Sequence, residues 1–139
     1  EIQPDIQITE EQLYIYGNRQ GLRRVIQNVI KNGLDHGEKK ISIVLEHNQN
    51  QAVLRITNQV THPEQIDIDH VFERFYKADM ARSKTSSGLG LSIARELVSR
   101  MNGKIEARIE KEEFIVEMKF LTITKVSSHA ENYADRLLY

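Results

Sequence analysis

The 139-residue sequence has no cysteine, no tryptophan, only two prolines and no apolar run longer than four residues. Without cysteine there is no disulfide framework, no thiolate zinc site and no cysteine nucleophile. Without a long apolar run no helix is expected to cross a bilayer, and no basic-then-apolar leader opens the chain. An excess of one charge is also missing. Nineteen Lys and Arg stand against 20 Asp and Glu, a net charge of −1, which argues against nucleic-acid or membrane-surface binding through bulk charge. The seven glycines are thinly spread, and there is neither an internal repeat nor a low-complexity stretch. What remains is ordinary for a globular protein: 40% apolar and 28% charged residues, at a length that buries about 68% of the unfolded surface. The sequence reads as one non-secreted domain, and a start at Glu1 rather than Met fits a piece of a longer protein.

Periodicity orders the elements. Ile6 and Ile8, then Tyr14 to Tyr16, read as short strands. Gly17-Asn18 opens a helix whose Leu22, Val25, Ile26, Val29, Ile30 and Gly33 form one apolar stripe, and His36-Gly37 closes it with a C-terminal glycine. Strands follow at Lys40–Glu46 and Ala52–Asn58 across the polar turn 47–50, then an irregular stretch from Gln59 to Ser87. A second helix after Gly88-Leu89-Gly90 carries Leu91, Ala94, Leu97, Val98 and Met101 on one face and stops at Asn102-Gly103. The alternating runs Ile105/Ala107/Ile109 and Phe114/Val116/Met118/Phe120 form a last hairpin. The order ββαββ–loop–αββ predicts a two-layer α/β (α+β) sandwich, with a mixed, mostly antiparallel sheet, helices on one face and water on the other. The main domain is expected over residues 1–125. Residues 126–139 form a separate tail, where Ser128-His129-Ala130-Glu131 is a capping box and a short helix is expected to dock or fray.

Three segments carry residues with chemical potential. Asn28 and Asn32 lie about 40° apart on the first helix, where its apolar stripe meets its polar flank. An amide oxygen there suits a Mg²⁺ held mainly by phosphate oxygens; two polar flank residues are the plainer alternative. Gly88-Leu89-Gly90 opens a helix, so backbone N–H groups face outward with the positive end of the dipole, which favours phosphate; a flexible start to the helix is the alternative. Phe72-Glu73-Arg74-Phe75-Tyr76-Lys77 offers two rings to bury beneath a loop. The polar segment behind it, with Lys77 and Arg82, reads as a lid whose cations reach phosphate, or else as a solvated loop. The five histidines show no metal-ligand spacing, and no GxSxG or HExxH motif is present.

Together, Asn28-Val29-Ile30-Lys31-Asn32-Gly33, Phe72 to Lys77, and Gly88-Leu89-Gly90-Leu91-Ser92-Ile93-Ala94 resemble, in order and spacing, the N, F and G2 boxes of sensor histidine kinases. From about Ile6 to Phe120 the chain resembles their catalytic ATP-binding domain, of the superfamily shared with gyrase, the Hsp90 chaperones and MutL. The resemblance implies the Bergerat-type fold with an ATP lid, and ATP with Mg²⁺ as the bound species. It assigns Mg²⁺ to Asn32 and the phosphate side to Asn28. His36 falls near ribose and phosphates, Gly88, Leu89 and Gly90 at the phosphate amides, and Lys77 and Arg82 in the lid, Arg82 at the γ-phosphate. Phe72 and Phe75 would anchor that lid.

Hydrolases of the superfamily carry a Glu where this chain has Asn28, and an amide takes no proton from water. The resemblance therefore implies a kinase that holds ATP for a histidine on a separate dimerisation domain, with a response regulator further on. The parent protein would sit in the cell membrane with this domain in the cytoplasm. None of the five histidines lies in the family's phosphoacceptor context. Three positions depart from the family pattern. Asp35 stands where a phosphate-binding Lys is frequent, Glu112-Glu113 replaces a Gly-Thr, and Asn58 replaces the adenine-reading Asp with no glycine following until Gly88. Asn58 is expected to accept from the adenine amino group and to donate to N1, the alternative being a turn residue that ends its strand. A nucleotide-poor interaction module, a superfamily ATPase and a kinase acting on Ser of a regulator are the competing readings.

Overall fold

The computed structural model describes residues 4–38, 40–76 and 88–123. Its elements are β1 (Asp5–Ile8), β2 (Tyr14–Ile15), α1 (Arg19–His36), β3 (Ile41–Asn48), β4 (Gln51–Gln59), α2 (Gly90–Arg100), β5 (Lys104–Glu110) and β6 (Glu113–Ile123). The stretch expected to be irregular holds two single 3₁₀ turns, Pro63–Gln65 and Ile68–His70. The tail 126–139 lies outside the described residues.

Strand order is β1-β3-β4-β6-β2, with β5 also on β6. β1 runs parallel to β3, and every other pair is antiparallel. One edge of β6 pairs with β4; the other is divided between β5 and, beyond it, β2. The β3–β4 hairpin runs further than its hydrophobic alternation predicts. Asn48 pairs with Gln51, and Gln49, at φ 56, turns the chain. Polar pairs at a hairpin tip leave no apolar signal to read.

Register places Ile43, Ile56, Val116 and Ala107 in one row across the sheet and Leu45, Leu54, Met118 and Ile105 in the next. Both rows face the helices. α1 turns Val25 and Val29 onto them and α2 turns Leu91, Ala94 and Val98, giving one apolar layer in which Val25, Ala94, Val98 and Met118 are fully buried. Asn18 caps α1, its side chain accepting from the Gly21 N–H at 3.0 Å. The other end closes at Gly37, as the sequence predicts. Gly37 has φ −114 and is extended rather than left-handed, so its lack of a side chain answers to space and not to a turn.

The opposite face is drier than the alternation suggests. Val53 and Ile115 lie on it at 3% and 5% exposure, beside their cross-strand partners Lys119 and Arg108. Long basic side chains lay their stems over apolar neighbours and keep their charge outward. Here the charges converge on Glu117, which accepts from Arg55 Nε at 3.0 Å, with Arg108 at 3.4 Å and Lys119 at 3.5 Å; Arg55 also donates to Glu46 at 2.8 Å. Partial burial by itself would raise the Glu117 pKa, but the hydrogen bond from Arg55 and the charges of Arg108, Arg55 and Lys119 bring it below its ordinary value.

A depressed carboxylate pKa contributes stability that is present above the unfolded-state value and is lost as pH falls through the folded one. Glu117→Gln is therefore expected to lower stability at neutral pH by about 1–3 kcal/mol, since it removes the charge from a partly buried hydrogen-bonded acceptor. In urea titrations of both proteins from neutral to acid pH, the gap should narrow below the ordinary carboxylate pKa. A gap that stays constant to acid pH would show that Glu117 carries no such linkage.

Candidate functional site

A cavity of about 190 Å³ opens between the C-terminal half of α1, the first turn of α2, the ends of β4 and β6, and the loop after β4. Helical spacing explains its polar wall. Asn28, Asn32, Asp35 and His36 stand at i, i+4, i+7 and i+8 of α1 and share one face, just off the buried stripe of Val25, Val29 and Gly33. The opposite end is apolar, formed by Val60, Ile66, Val71, Leu91 and Phe114.

Asn58 is the polar group at that apolar end. It pairs with Ile41 and Phe114 inside β4, in the row that faces the helices, and is 5% exposed. It is thus a strand residue and not the turn residue that was its alternative. α1 makes room for the amide with two glycines. A Cβ on Gly33 would stand 3.2 Å from Asn58 Oδ1, and one on Gly37 would collide with Asn58 Nδ2 and meet Gln59 O at 2.7 Å. Nδ2 donates to Gln59 O at 3.3 Å, while no described donor reaches Oδ1. Asn28 has the complementary deficit: its Nδ2 is buried with no acceptor. One cavity therefore holds an unmet donor at its polar wall and an unmet acceptor at its apolar end. Asn28 Nδ2 is the fully buried one of the two; a buried polar atom left so costs about 1–3 kcal/mol, and a ligand that supplies its partner recovers it.

The start of α2 completes the polar end. Leu89 precedes the helix and provides no side-chain cap, so the first turn keeps N–H groups directed out of the helix end. Gly88 and Gly90 differ in what demands them. Gly88 has φ 71, and a Cβ there would stand 2.7 Å from the Phe75 Cα; its carbonyl accepts from the Phe75 N–H at 2.8 Å. A Cβ on Gly90 would meet only the Asn28 backbone and Cβ at 3.6 Å and 3.9 Å, ordinary contacts. Packing requires the first glycine and not the second, whose bareness instead leaves backbone open at the cavity wall.

Of the aromatic pair expected to bury both rings, only one does. Phe72 packs against the core with the Arg95 guanidinium 5.8 Å from its ring centroid. Phe75, at φ 65, turns its ring outward and is 69% exposed. Tyr76 takes the inward place, lining the cavity, and its hydroxyl accepts from the Asp67 N–H at 2.7 Å. A left-handed residue reverses which neighbour points inward, and spacing alone does not reveal it.

The structure thus gathers Asn28, Asn32, His36, Asn58, Gly88, Leu89 and Gly90 around one cavity. Lys77 and Arg82 lie outside the described residues. Lys31 was missed: it lines the cavity and reaches Asp35 Oδ2 at 3.3 Å, an i,i+4 pair legible from spacing once Asp35 is placed there. Asp35 is the carboxylate of the described lining, and Lys31 engages it.

Comparison with known proteins agrees with this geometry. The profile of the histidine kinase-, DNA gyrase B- and HSP90-like ATPases matches residues 17–124, and the chain belongs to that family. Within it, the chain is similar to sensor histidine kinases. It is 28% identical over 127 residues to the sensor histidine kinase YcbM of Bacillus subtilis, covering 86% of this chain and 41% of YcbM. It is 32% identical over 113 residues to the sensor protein DltS of Streptococcus agalactiae, covering 79% of this chain and 29% of DltS. The chain thus spans less than half the length of these relatives. Its fold is that of the mycobacterial sensor histidine kinase MprB, with a TM-score of 0.74 at 23% identity over 89% of this chain and 86% of that one. The match covers the catalytic ATP-binding domain of such kinases.

The two glycines predict opposite outcomes. Gly88→Ala should cost about 1–3 kcal/mol, because the methyl enters left-handed backbone and strikes Phe75. Gly90→Ala should leave stability unchanged or raise it by up to about 1 kcal/mol, as alanine is the better helix former. Thermal melts of the two variants check this, and equal losses would contradict the assignment.

Proposed function

We propose that the cavity binds ATP with Mg²⁺ and that, in the full protein, this domain presents the γ-phosphate to a histidine on a separate helical dimerisation domain. The observation that carries the reading is the buried donor without an acceptor at Asn28 Nδ2, on the wall of a cavity in which Asn58 Oδ1 is an acceptor that no described donor reaches. A phosphate oxygen suits the first, and the exocyclic amine of adenine suits the second, with the flat apolar end between Val60, Leu91 and Phe114 taking the base.

The residues present fit a hard cation beside phosphate: neutral amides at Asn28 and Asn32, one turn apart, and no competing thiolate or histidine cluster among the described residues. Asn32 would hold Mg²⁺ through its amide oxygen. When bound, the ion neutralises phosphate charge and orients the transferring group. Asn28 donates to the phosphates, the α2 N-terminus faces them with its backbone, and His36 stands at the rim. Lys31 shields the incoming phosphates from Asp35. By the resemblance, Lys77 and Arg82 approach from the lid, Arg82 at the γ-phosphate.

Among the described lining residues no unpaired carboxylate stands ready as a base for hydrolysis. Asn28 cannot accept a proton, and Asp35 is engaged by Lys31. That supports transfer to an external nucleophile, in line and by positioning, over release to water. Residues 1–125 would be this catalytic unit and 126–139 an appended tail. The parent would be a membrane-bound two-component sensor with this domain in the cytoplasm, acting on a response regulator through its phosphohistidine; no nucleic acid is involved. Among the described residues no helix is long and apolar enough to cross a membrane.

Incubated alone with γ-labelled ATP, the chain should remain unlabelled. Addition of the dimerisation domain of the full-length protein should give acid-labile label on that domain, and robust label on the chain alone would overturn the reading. Asn32→Ala should abolish the transfer and the Mg²⁺-dependent gain in nucleotide affinity, while metal-free ADP binding and the melting temperature stay close to wild type. An active Asn32→Ala protein would remove Asn32 from the metal site.

A further inference from the structure

The polar group at the apolar end of the cavity is an amide, and an amide has two faces. Asn58 offers an acceptor at Oδ1 and two donors at Nδ2, and rotation by half a turn about its last bond exchanges them with almost no change of shape. A carboxylate in the same seat would only accept. Nothing described locks the rotation. The hydrogen bond that sets the present orientation, Nδ2 to Gln59 O, is long at 3.3 Å. If it is given up, Gln59 O keeps the Glu38 N–H at 2.9 Å and is not left unsatisfied. The seat is equally permissive, since the neighbours across it are Gly33 and Gly37, which present no side chain to either end of the amide.

Resting on the nucleotide reading above, we propose that Asn58 is a specificity residue that accepts both classes of purine nucleotide, those with a 6-amino group and those with a 6-oxo group. A 6-aminopurine presents a donor at position 6 and an acceptor at N1. A 6-oxopurine presents an acceptor at position 6 and a donor at N1. The present orientation of Asn58 serves the first edge, with Oδ1 accepting at position 6 and the second Nδ2 hydrogen free for N1. The rotated orientation serves the second edge with the same two bonds. Rotation forfeits the Gln59 contact and brings Oδ1 towards that carbonyl, so 6-amino nucleotides keep a preference of up to about tenfold.

The test is calorimetric titration of the whole chain with Mg²⁺ and ADP, GDP or inosine diphosphate, on wild type and Asn58→Ala. Inosine diphosphate carries the 6-oxo edge without the extra amino group of guanine, so it separates reading of the edge from steric fit. In wild type it should bind within about tenfold of ADP. In Asn58→Ala both nucleotides lose the same two hydrogen bonds, so each should weaken by about tenfold to a hundredfold while their ratio stays within about tenfold. A wild-type ratio beyond tenfold, or inosine diphosphate binding that is unchanged or tighter in Asn58→Ala, would overturn the proposal. Should the variant fail to fold, the wild-type comparison of ADP with inosine diphosphate decides alone. Failure of all three nucleotides to bind wild type would instead overturn the nucleotide reading and this proposal with it.

Discussion

Asn58 sits in the row of the sheet that faces the helices, where every hydrogen bond left unmade by a primary amide costs about 1–3 kcal/mol. Much of the local architecture accommodates that one group. α1 carries glycine at 33, where a side chain would crowd the amide, and the residue that follows the helix, 37, is glycine because a side chain there would strike Asn58, Gln59 and Gly33 together. The neighbouring core residues stop short of filling the space next to Oδ1, and the cavity begins there. A hydrophobic residue at 58 would allow closer packing of α1 on β4 and would close the apolar end. The polar residue keeps the layer apart.

Electrostatic asymmetry follows from the same helix. α1 turns amides, an ion-paired Asp35 and His36 to the cavity, and α2 brings its N-terminus to the same side. Anionic ligand groups are drawn to that end, while the apolar end offers a flat surface with one hydrogen-bonding group. A ligand with charge at one end and an aromatic plane at the other fits that asymmetry in one direction only.

The fold was largely legible from periodicity, and particular residues show why. Leu22 to Gly33 stand at helical spacing, and Phe114, Val116, Met118 and Phe120 recur at every second position, so burial on the helix-facing side is written directly into the order of residues. The positions that periodicity missed are those where backbone geometry or a distant neighbour decides. Phe75 points outward because of a left-handed torsion, Gly37 is glycine because of a residue 21 positions later, and Val53 and Ile115 are dry because charged side chains from adjacent strands lie beside them. In the site, Asn28, Asn32 and the Gly88 to Gly90 segment were legible as motifs with a local spacing. Lys31 was not, since its place depends on where Asp35 points.

The divided edge of β6 bears on how the protein comes into being on the ribosome. β6 is the direct partner of three strands, β4, β5 and β2, two of which are complete long before residues 113–123 are synthesised. Until then β2 has no neighbour, β4 has a bare inner edge, and the layer that Met118 and Val116 will fill is open. Vectorial synthesis therefore leaves α1 and the β3–β4 hairpin waiting, with their apolar side uncovered, for the final strand. Sheets whose central strand is made last depend on long-range closure and fold more slowly than those built from local pairs. Phe114 lines the cavity, so the cavity is complete only once β6 has left the exit tunnel.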